Sequence, residues 1–274
     1  MKTFGWIEDV FGGNLVTDPK VSAFDSGFTL GFGIFETMKT RGQLIQFLDF
    51  HLQRLSASAT ALQLEIPANE RIESAIRSVL DANNPDSYGR LRVSLTQGIQ
   101  GVTPWTLIIT WQAIQLWTNP ASLTISNVSQ SETRLSKSMK TLSYLENAFA
   151  LQQALRNGFD DAIMFDTSNH VTETALANIF IVKNNSLYTP PASTGCLLGI
   201  TRHIIMREFV DSLNVFERNL TLSEIESADE ILITSAIRDV QPVQRVDSWH
   251  YKSPGKITST LQGLYREYAE GGFQ

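Results

Sequence analysis

Residues 139–166 read MKTLSYLENAFALQQALRNGFDDAIMFD. Apolar residues recur with helical spacing over Tyr144–Arg156, and the Asn-Gly pair that follows is a typical signal for a helix C-terminus. The apolar run Ala162–Asp166 then predicts a buried strand. This stretch therefore predicts an amphipathic helix that leads into a sheet, with one lysine, Lys140, shortly before the helix.

The residues N-terminal to this stretch predict a mixture of strands and helices. Phe24–Lys39 is strand-like but contains three glycines, which is typical of bulges or of a close backbone approach. Helical spacing follows in Phe50–Leu64 and Ile72–Leu80, and strand patterns in Arg90–Thr96 and Trp105–Trp111. Together these segments predict an α+β unit.

The pattern becomes irregular around residues 117–121, where Pro120 interrupts it. We therefore predict an N-terminal α+β domain over residues 1–117, a linker over 118–121 and a C-terminal α/β domain over 122–274 that carries Lys140. Further strands are predicted in the second domain at Leu123–Val128, Asn178–Val182, Ser186–Thr189 and Ile231–Thr234, and further helices at Ile200–Leu213 and at about 255–270.

The composition excludes several classes of protein. The 274 residues include 22 Lys and Arg against 28 Asp and Glu, a formal charge of −6, which argues against nucleic acid as the main partner. One cysteine excludes an internal disulfide framework, and the four histidines lack metal-ligand spacing, so we expect no metal. No run approaches the ~20 apolar residues that span a bilayer, and acidic residues interrupt the N-terminus, so we expect no membrane segment and a cytoplasmic location.

Single residues do not identify a mechanism by themselves. Lys140 alone would be a surface lysine, Glu173 a solvated loop carboxylate, and Arg54 a long side chain at the edge of an amphipathic helix. Cys196 is expected to be a small buried residue. A cysteine hydrolase that uses Cys196 and a binding protein without a cofactor stay open as alternatives at this point.

Three longer segments carry more information. GFGIFETMKTRGQLIQFLDFHLQRL (31–55), residues 139–166 and NHVTETALANIFIVKNNSLYTPPASTGCLLGITR (169–202) together resemble the class IV, or fold-type IV, pyridoxal-phosphate enzymes. This family includes branched-chain aminotransferases, D-amino-acid aminotransferases and aminodeoxychorismate lyase. The resemblance runs from about Asp25 to Val243. It implies a two-domain fold like that of D-amino-acid aminotransferase, pyridoxal 5'-phosphate between the domains, and a homodimer.

The resemblance also implies roles for individual residues. Lys140 matches the lysine that forms a Schiff base with the cofactor aldehyde, a reaction for which a lysine amine is suited. Glu173 matches the acid that keeps the pyridine nitrogen protonated, so that the ring accepts electrons from a substrate carbanion. Arg54 matches the arginine that pairs with the phosphate, and Ile200 and Thr201 match N–H donors to the phosphate at a helix start.

Further positions follow from the same resemblance. A hydroxyl in a later loop contacts the phosphate in the family, and here that position is Ala236, preceded by Ser235. Tyr144 matches a position that modulates proton transfer in some members. Phe35, Thr37 and Arg92 match strand positions that line the substrate side, and Arg92 would pair with a substrate carboxylate.

The reaction type depends on smaller features. Phe-Glu-Thr at 35–37, SAFDSGF, GRLRVSLTQG and LYTP at 187–190 favour a lyase that releases pyruvate from 4-amino-4-deoxychorismate and leaves 4-aminobenzoate for folate biosynthesis. Gln97 stands where D-amino-acid aminotransferases carry an arginine. Against the lyase, IQGVTP lacks an arginine found in some lyases, and Ser235 replaces their asparagine. An aminotransferase that moves an amino group from a branched-chain amino acid, a D-amino acid or an amine to a 2-oxo acid is the alternative.

Overall fold

The computed structural model describes residues 3–274, which form two compact units. The first contains the chain up to Leu116 together with Met139–Ser143 and Gly271–Gln274, and the second contains Trp117–Ser138 and Tyr144–Glu270. This arrangement differs from the predicted division at residues 118–121, because the short segment that carries Lys140 groups with the first unit. That grouping results from pairing across the chain, which a local pattern does not reveal.

The first unit is an antiparallel sheet covered by helices. Its strands are β1 (Phe4–Asp9), β2 (Gly12–Thr17), β3 (Gly33–Arg41), β4 (Leu44–Ile45), β5 (Tyr88–Thr96) and β6 (Thr106–Ala113). Its helices are α1 (Ser26–Thr29), α2 (Leu48–Ala61) and α3 (Asn69–Asn83). The spatial order of the strands is β2-β1-β6-β5-β3-β4. The last residues of the chain extend this sheet, because Ile45 and Gln274 exchange backbone hydrogen bonds of 2.8 and 2.9 Å.

The two faces of this sheet differ in character because side chains alternate along a strand. Ile34 and Met38 on β3 join Leu91 and Val93 on β5 in the apolar core against α2 and α3. Intervening side chains on β3 and β5 project from the opposite face. The strands thus divide the candidate residues between a core face and a second, more polar face.

The second unit is a mixed sheet with helices around it. Its strands are β7 (Ala121–Gln130), β8 (Asp161–Asp166), β9 (Val171–Thr174), β10 (Asn178–Lys183), β11 (Ser186–Thr189), β12 (Val215–Glu217), β13 (Glu230–Ser235), β14 (Asp239–Val246) and β15 (Trp249–His250). Its helices are α4 (Leu145–Arg156), α5 (Ile200–Glu208), α6 (Val210–Leu213), α7 (Leu222–Glu226) and α8 (Lys256–Glu270), with a 3-10 turn at Ala192–Thr194. The strand order is β12-β11-β10-β13-β14-β7-β8-β9, and β15 pairs with β14.

The α+β and α/β architecture predicted from the sequence is confirmed, with local differences. The predicted helix over 200–213 is broken at Phe209 into α5 and α6. Within the strand-like region 24–39, the short helix α1 begins after Asp25, whose carboxylate accepts a 2.7 Å hydrogen bond from Gly27 N. Strand β14 lies where the sequence predicts none, because Pro242 is in its middle and proline argues against a central strand.

Two kinds of feature are absent among the residues that the structure describes. None of the helices within residues 3–274 is long and apolar enough to cross a membrane. Among those same residues, no group of three or more His, Cys, Asp and Glu side chains is arranged to hold a metal ion.

Candidate active site

Lys140 lies on a short segment that pairs with the start of β3. Phe35 N donates a hydrogen bond of 2.8 Å to Lys140 O, and Leu142 N donates one of 2.8 Å to Gly33 O. A Cβ at Gly33 would lie 2.5 Å from Leu95 O and 2.7 Å from Leu142 Cδ1. Glycine at this position therefore permits the close pairing, and backbone hydrogen bonds hold Lys140 in place.

The aromatic ring of Phe35 brings together two predicted site residues. Lys140 Nζ lies 4.5 Å from the ring centroid, and Arg92 Cζ lies 3.7 Å from it. Both cations are attracted to the electron-rich ring face. Thr37 lies directly opposite Arg92 in the β3–β5 register, so its side chain projects from the same face. The structure thus places Phe35, Thr37, Arg92 and Lys140 together, in a positive environment that suits a carboxylate.

Arg54 belongs to a buried ionic network on the core face of β3. Its Nε and Nη2 donate hydrogen bonds of 2.7 Å to the two carboxylate oxygens of Glu36, and His51 Nδ1 lies 2.7 Å from Glu36 Oε2. Burial would raise the pKa of Glu36, but the charge and hydrogen bonds of Arg54, together with His51, lower that pKa to about 2. Burial lowers the pKa of His51, so a neutral ring donates its Nδ1–H to the carboxylate.

This network fixes the orientation of the Arg54 guanidinium. Because Glu36 accepts two hydrogen bonds from the guanidinium group, it defines both the position and the plane of that group. Sequence reasoning did not select Glu36 or His51. A signal was present, because His51 and Arg54 are three residues apart on α2 and share a helix face, but nothing local in the sequence connects that face with Glu36.

Glu173 and Tyr144 are held by hydrogen bonds within the second unit. Glu173 is buried on β9, and its Oε2 accepts a 3.0 Å hydrogen bond from Leu197 N. Tyr144 is the residue before α4, and its hydroxyl donates a 2.8 Å hydrogen bond to Ala175 O. Asn147 Nδ2 donates to the same carbonyl at 3.2 Å. Sequence reasoning did not select Asn147, which contributes to fixing this loop.

The start of α5 has the properties of an anion site. Gly199 is the residue before the helix and, as a glycine, provides no side-chain cap. A Cβ at Gly199 would lie 2.1 Å from Asn178 Oδ1, and Asn178 Nδ2 donates a 2.6 Å hydrogen bond to Leu197 O. The N–H groups of Ile200 and Thr201 in the first turn, with the helix dipole, favour a negative group here.

The loop after β13 offers less than the resemblance implies. Ser235 Oγ accepts a 3.2 Å hydrogen bond from Arg238 N within a turn. Ala236 has no side-chain hydroxyl. Any phosphate contact from these two residues would therefore depend on backbone N–H groups or on the remaining bonding capacity of Ser235.

Cys196 is a poor candidate for a nucleophile. Its side chain is buried, and its Sγ lies 3.5 Å from Pro191 O. Burial raises the pKa of the thiol to about 11, so it stays protonated near neutral pH. The interpretation of Cys196 as a buried structural residue is favoured over a cysteine hydrolase.

Comparisons with known proteins give the family of the chain. The family model of class IV amino-transferases matches residues 33–246. The chain is 30% identical over 267 residues to a branched-chain-amino-acid aminotransferase of Pseudomonas aeruginosa, covering 88% of this chain and 85% of the relative. It is 27% identical over 263 residues to an aminodeoxychorismate lyase of Bacillus subtilis, covering 91% and 90%.

A solved structure shows the same fold. The branched-chain aminotransferase of the thermophilic archaeon Thermoproteus uzoniensis, solved with norvaline, superposes with a TM-score of 0.89 at 24% identity, covering 99% of this chain and 96% of that chain. The fold therefore extends over nearly the full length of both proteins.

Proposed function

The chain belongs to the class IV aminotransferase family and is a pyridoxal-phosphate-dependent enzyme, and from this premise we propose that it is a 4-amino-4-deoxychorismate lyase. The reaction releases pyruvate and 4-aminobenzoate, which would place the enzyme in folate biosynthesis. An aminotransferase acting on a small amino substrate is the second candidate, supported by the identity to the Pseudomonas aeruginosa enzyme.

One observation supports the lyase most strongly: the face of β3 and β5 next to Phe35 carries several cations. Arg90 lies two residues before Arg92 on β5 and on the same face, opposite the buried Lys39. Several positive charges on one face attract and concentrate anionic groups. The substrate 4-amino-4-deoxychorismate carries two carboxylates, whereas leucine or D-alanine carries one, so this face suits the lyase substrate better.

The residues of the chain fit the cofactor by their chemistry. Pyridoxal phosphate supplies an electron sink for a substrate carbanion. Lys140 would attach it covalently, Glu173 would keep its pyridine nitrogen protonated, and Arg54 would pair with its phosphate. The remaining proposed contacts are Ile200, Thr201, Ser235 and Ala236 for the phosphate and Tyr144 for proton transfer.

In the proposed reaction, Lys140 Nζ moves one proton. It takes the proton from the ring carbon of the substrate, the C–O bond to the enolpyruvyl group breaks, and the proton is passed to the departing group to give pyruvate. The ring becomes aromatic as 4-aminobenzoate. Arg92 and Thr37 would hold a substrate carboxylate beside Phe35 while this happens.

Association into a homodimer is a further part of the proposal. Phe24, Phe28 and Leu30 in the first unit are large apolar side chains with exposures of 79%, 75% and 72%. Clustered exposed apolar residues are typical of protein interfaces, which supports a second copy as the partner. The cytoplasmic location expected from the sequence stays a prediction.

A product assay separates the two candidate reactions. We expect the purified holoenzyme to convert 4-amino-4-deoxychorismate into equal amounts of pyruvate and 4-aminobenzoate, measured by chromatography. Parallel reactions contain D-alanine, L-leucine or a chiral amine with a 2-oxo acid, and keto-acid exchange is measured. Transamination without release of aminobenzoate would reject the lyase and favour the aminotransferase.

Glu173→Gln tests the proposed role of the carboxylate. The amide oxygen still accepts the hydrogen bond from Leu197 N, so we expect the fold and cofactor binding to persist. Without the negative charge the pyridine nitrogen is less protonated, and we expect kcat to fall by about 10²-fold or more. Steady-state kinetics measure this loss, with Glu226→Gln at an exposed position of the same unit as the control. Activity equal to that of the wild type would exclude the role of Glu173.

A further inference from the structure

Thr234 is a buried residue whose hydroxyl lacks a partner. It lies on β13 and is 1% exposed, and within residues 3–274 no group hydrogen-bonds to its Oγ1. A buried hydroxyl without a partner is unfavourable and uncommon in folded proteins. The Thr234 hydroxyl is therefore available to donate a hydrogen bond to a ligand.

The register of the sheet shows where this hydroxyl points. Ile231 and Ile233 of β13 lie in the apolar core on one face, so Thr234 projects from the other face. Thr234 is directly opposite Asn178 on β10, and paired residues of adjacent strands share a face. The Asn178 side chain lies against Gly199, the residue before α5. The Thr234 hydroxyl thus lies on the side of the sheet that carries the start of α5.

The same helix start is held from α8. Tyr265 OH lies 3.2 Å from Thr201 Oγ1, and both residues are buried. Burial and the nearby Asp239 carboxylate raise the pKa of Tyr265, so its hydroxyl keeps its proton. Helices α5 and α8 both pack against β13. The first turn of α5, the Tyr265 hydroxyl and the Thr234 hydroxyl therefore belong to one buried neighbourhood.

We propose that Thr234 is a phosphate-binding residue, and that its hydroxyl donates a hydrogen bond to the cofactor phosphate at the start of α5. Thr234 would supply the phosphate-binding hydroxyl that the family has in this loop. Ala236 has no hydroxyl, and the hydroxyl of Ser235 already accepts a hydrogen bond from Arg238 N. Tyr265 is a positioning residue, which holds Thr201 in the first turn of α5. This inference rests on the proposed assignment of the phosphate to Ile200 and Thr201.

Binding of two cofactor forms tests the inference. Apoenzyme is titrated with pyridoxal phosphate and with pyridoxal, which lacks the phosphate, and the absorbance change gives both dissociation constants. Since a hydrogen bond to a charged group is lost, we expect Thr234→Val to weaken pyridoxal phosphate binding about tenfold. Pyridoxal binding should stay unchanged. Thr234→Ser, which keeps the hydroxyl, should restore the affinity for pyridoxal phosphate.

A control separates binding from packing. Thr189 is also a buried threonine of this sheet, but its hydroxyl donates a 2.9 Å hydrogen bond to Ile179 O. We expect Thr189→Val to lower the Tm of the apoenzyme and to leave the ratio of the two dissociation constants unchanged. Thr234→Val should not lower the Tm, because valine has a similar shape and removes an unpaired hydroxyl.

Four results would overturn the inference. Unchanged affinity of Thr234→Val for pyridoxal phosphate, or an equal loss for both cofactor forms, excludes a phosphate contact. Ile200→Pro removes one N–H at the first helical position, where proline is tolerated. If this variant weakens pyridoxal phosphate binding and Thr234→Val does not, the phosphate binds at the first turn of α5 but Thr234 does not contact it. If the wild type does not prefer the phosphorylated form, the phosphate assignment fails as well.

Discussion

Lys140→Ala should reduce turnover by about 10³-fold or more, since it removes the group that attaches the cofactor and moves the proton. The fold should persist, because the hydrogen bonds of this segment with Phe35 and Gly33 use backbone atoms. We expect noncovalent cofactor binding to remain but borohydride to trap no cofactor on the protein. Measurements of kcat and of bound cofactor after reduction and denaturation give both results.

The control for this variant is Lys137→Ala. Lys137 is exposed and three residues earlier in the chain, so its removal should leave activity and trapping unchanged. A Lys140→Ala enzyme that kept its activity within tenfold of the wild type, or its covalent cofactor, would show that another lysine has this role.

Glu36→Gln should have the largest effect on stability. The variant leaves the half-buried Arg54 and the buried His51 without the carboxylate that they share, and breaking a largely buried ion pair in this way costs about 3–5 kcal/mol. Thermal and urea unfolding measure the loss. Glu65→Gln, an exposed position of the same unit, is the matched control and should change stability little.

The same network predicts how stability depends on pH. The pKa of Glu36 falls from 4.5 to about 2 in the folded protein, so its stabilising contribution is complete above pH 4.5 and is lost as pH falls towards 2. This difference corresponds to about 3 kcal/mol. The lowered pKa of His51 acts in the same direction, since below its ordinary value of 6.5 the unfolded chain takes up a proton more readily than the folded one.

Unfolding between pH 7 and 3 checks this dependence. We expect the wild type to lose stability steadily on acidification and Glu36→Gln to lose much less below pH 4.5. Parallel pH profiles of the two proteins would contradict the assignment of the low pKa to Glu36.

Much of the fold could be predicted because its elements follow simple periodicities. Helix α4 and strands β5, β10 and β11 have clear helical or strand patterns, and each appears within a few residues of its predicted position. Strand β14 was not predicted, because Pro242 interrupts its strand pattern. The grouping of Met139–Ser143 with the first unit depends on hydrogen bonds to residues about a hundred positions earlier, and no local pattern encodes them.

Some residues of the candidate site could be predicted from the sequence and others could not. Lys140, Glu173 and Arg54 could be selected because their flanking residues resemble family segments. Glu36 and Thr234 could not, because their significance comes from contacts across strands and helices. A strand carboxylate and a strand threonine are ordinary features of a sequence. The structure shows one with a bidentate arginine and the other with an unpartnered buried hydroxyl.

The net charge of −6 also gives an incomplete description of the site. The face of β3 and β5 carries Arg90 and Arg92, and Lys140 lies at its end beside Phe35, while Lys39 of the same face is buried. An acidic protein can thus present a local cationic surface to an anionic substrate.

The most direct test of the account is to locate the covalently bound cofactor. The holoenzyme is reduced with borohydride and digested, and its peptides are examined by mass spectrometry. We predict a phosphopyridoxyl group on the peptide that contains Lys140 and on no other lysine. A modified Lys39, which lies on the same strand face as Phe35, or a protein that carries no cofactor after reduction, would contradict the assignment.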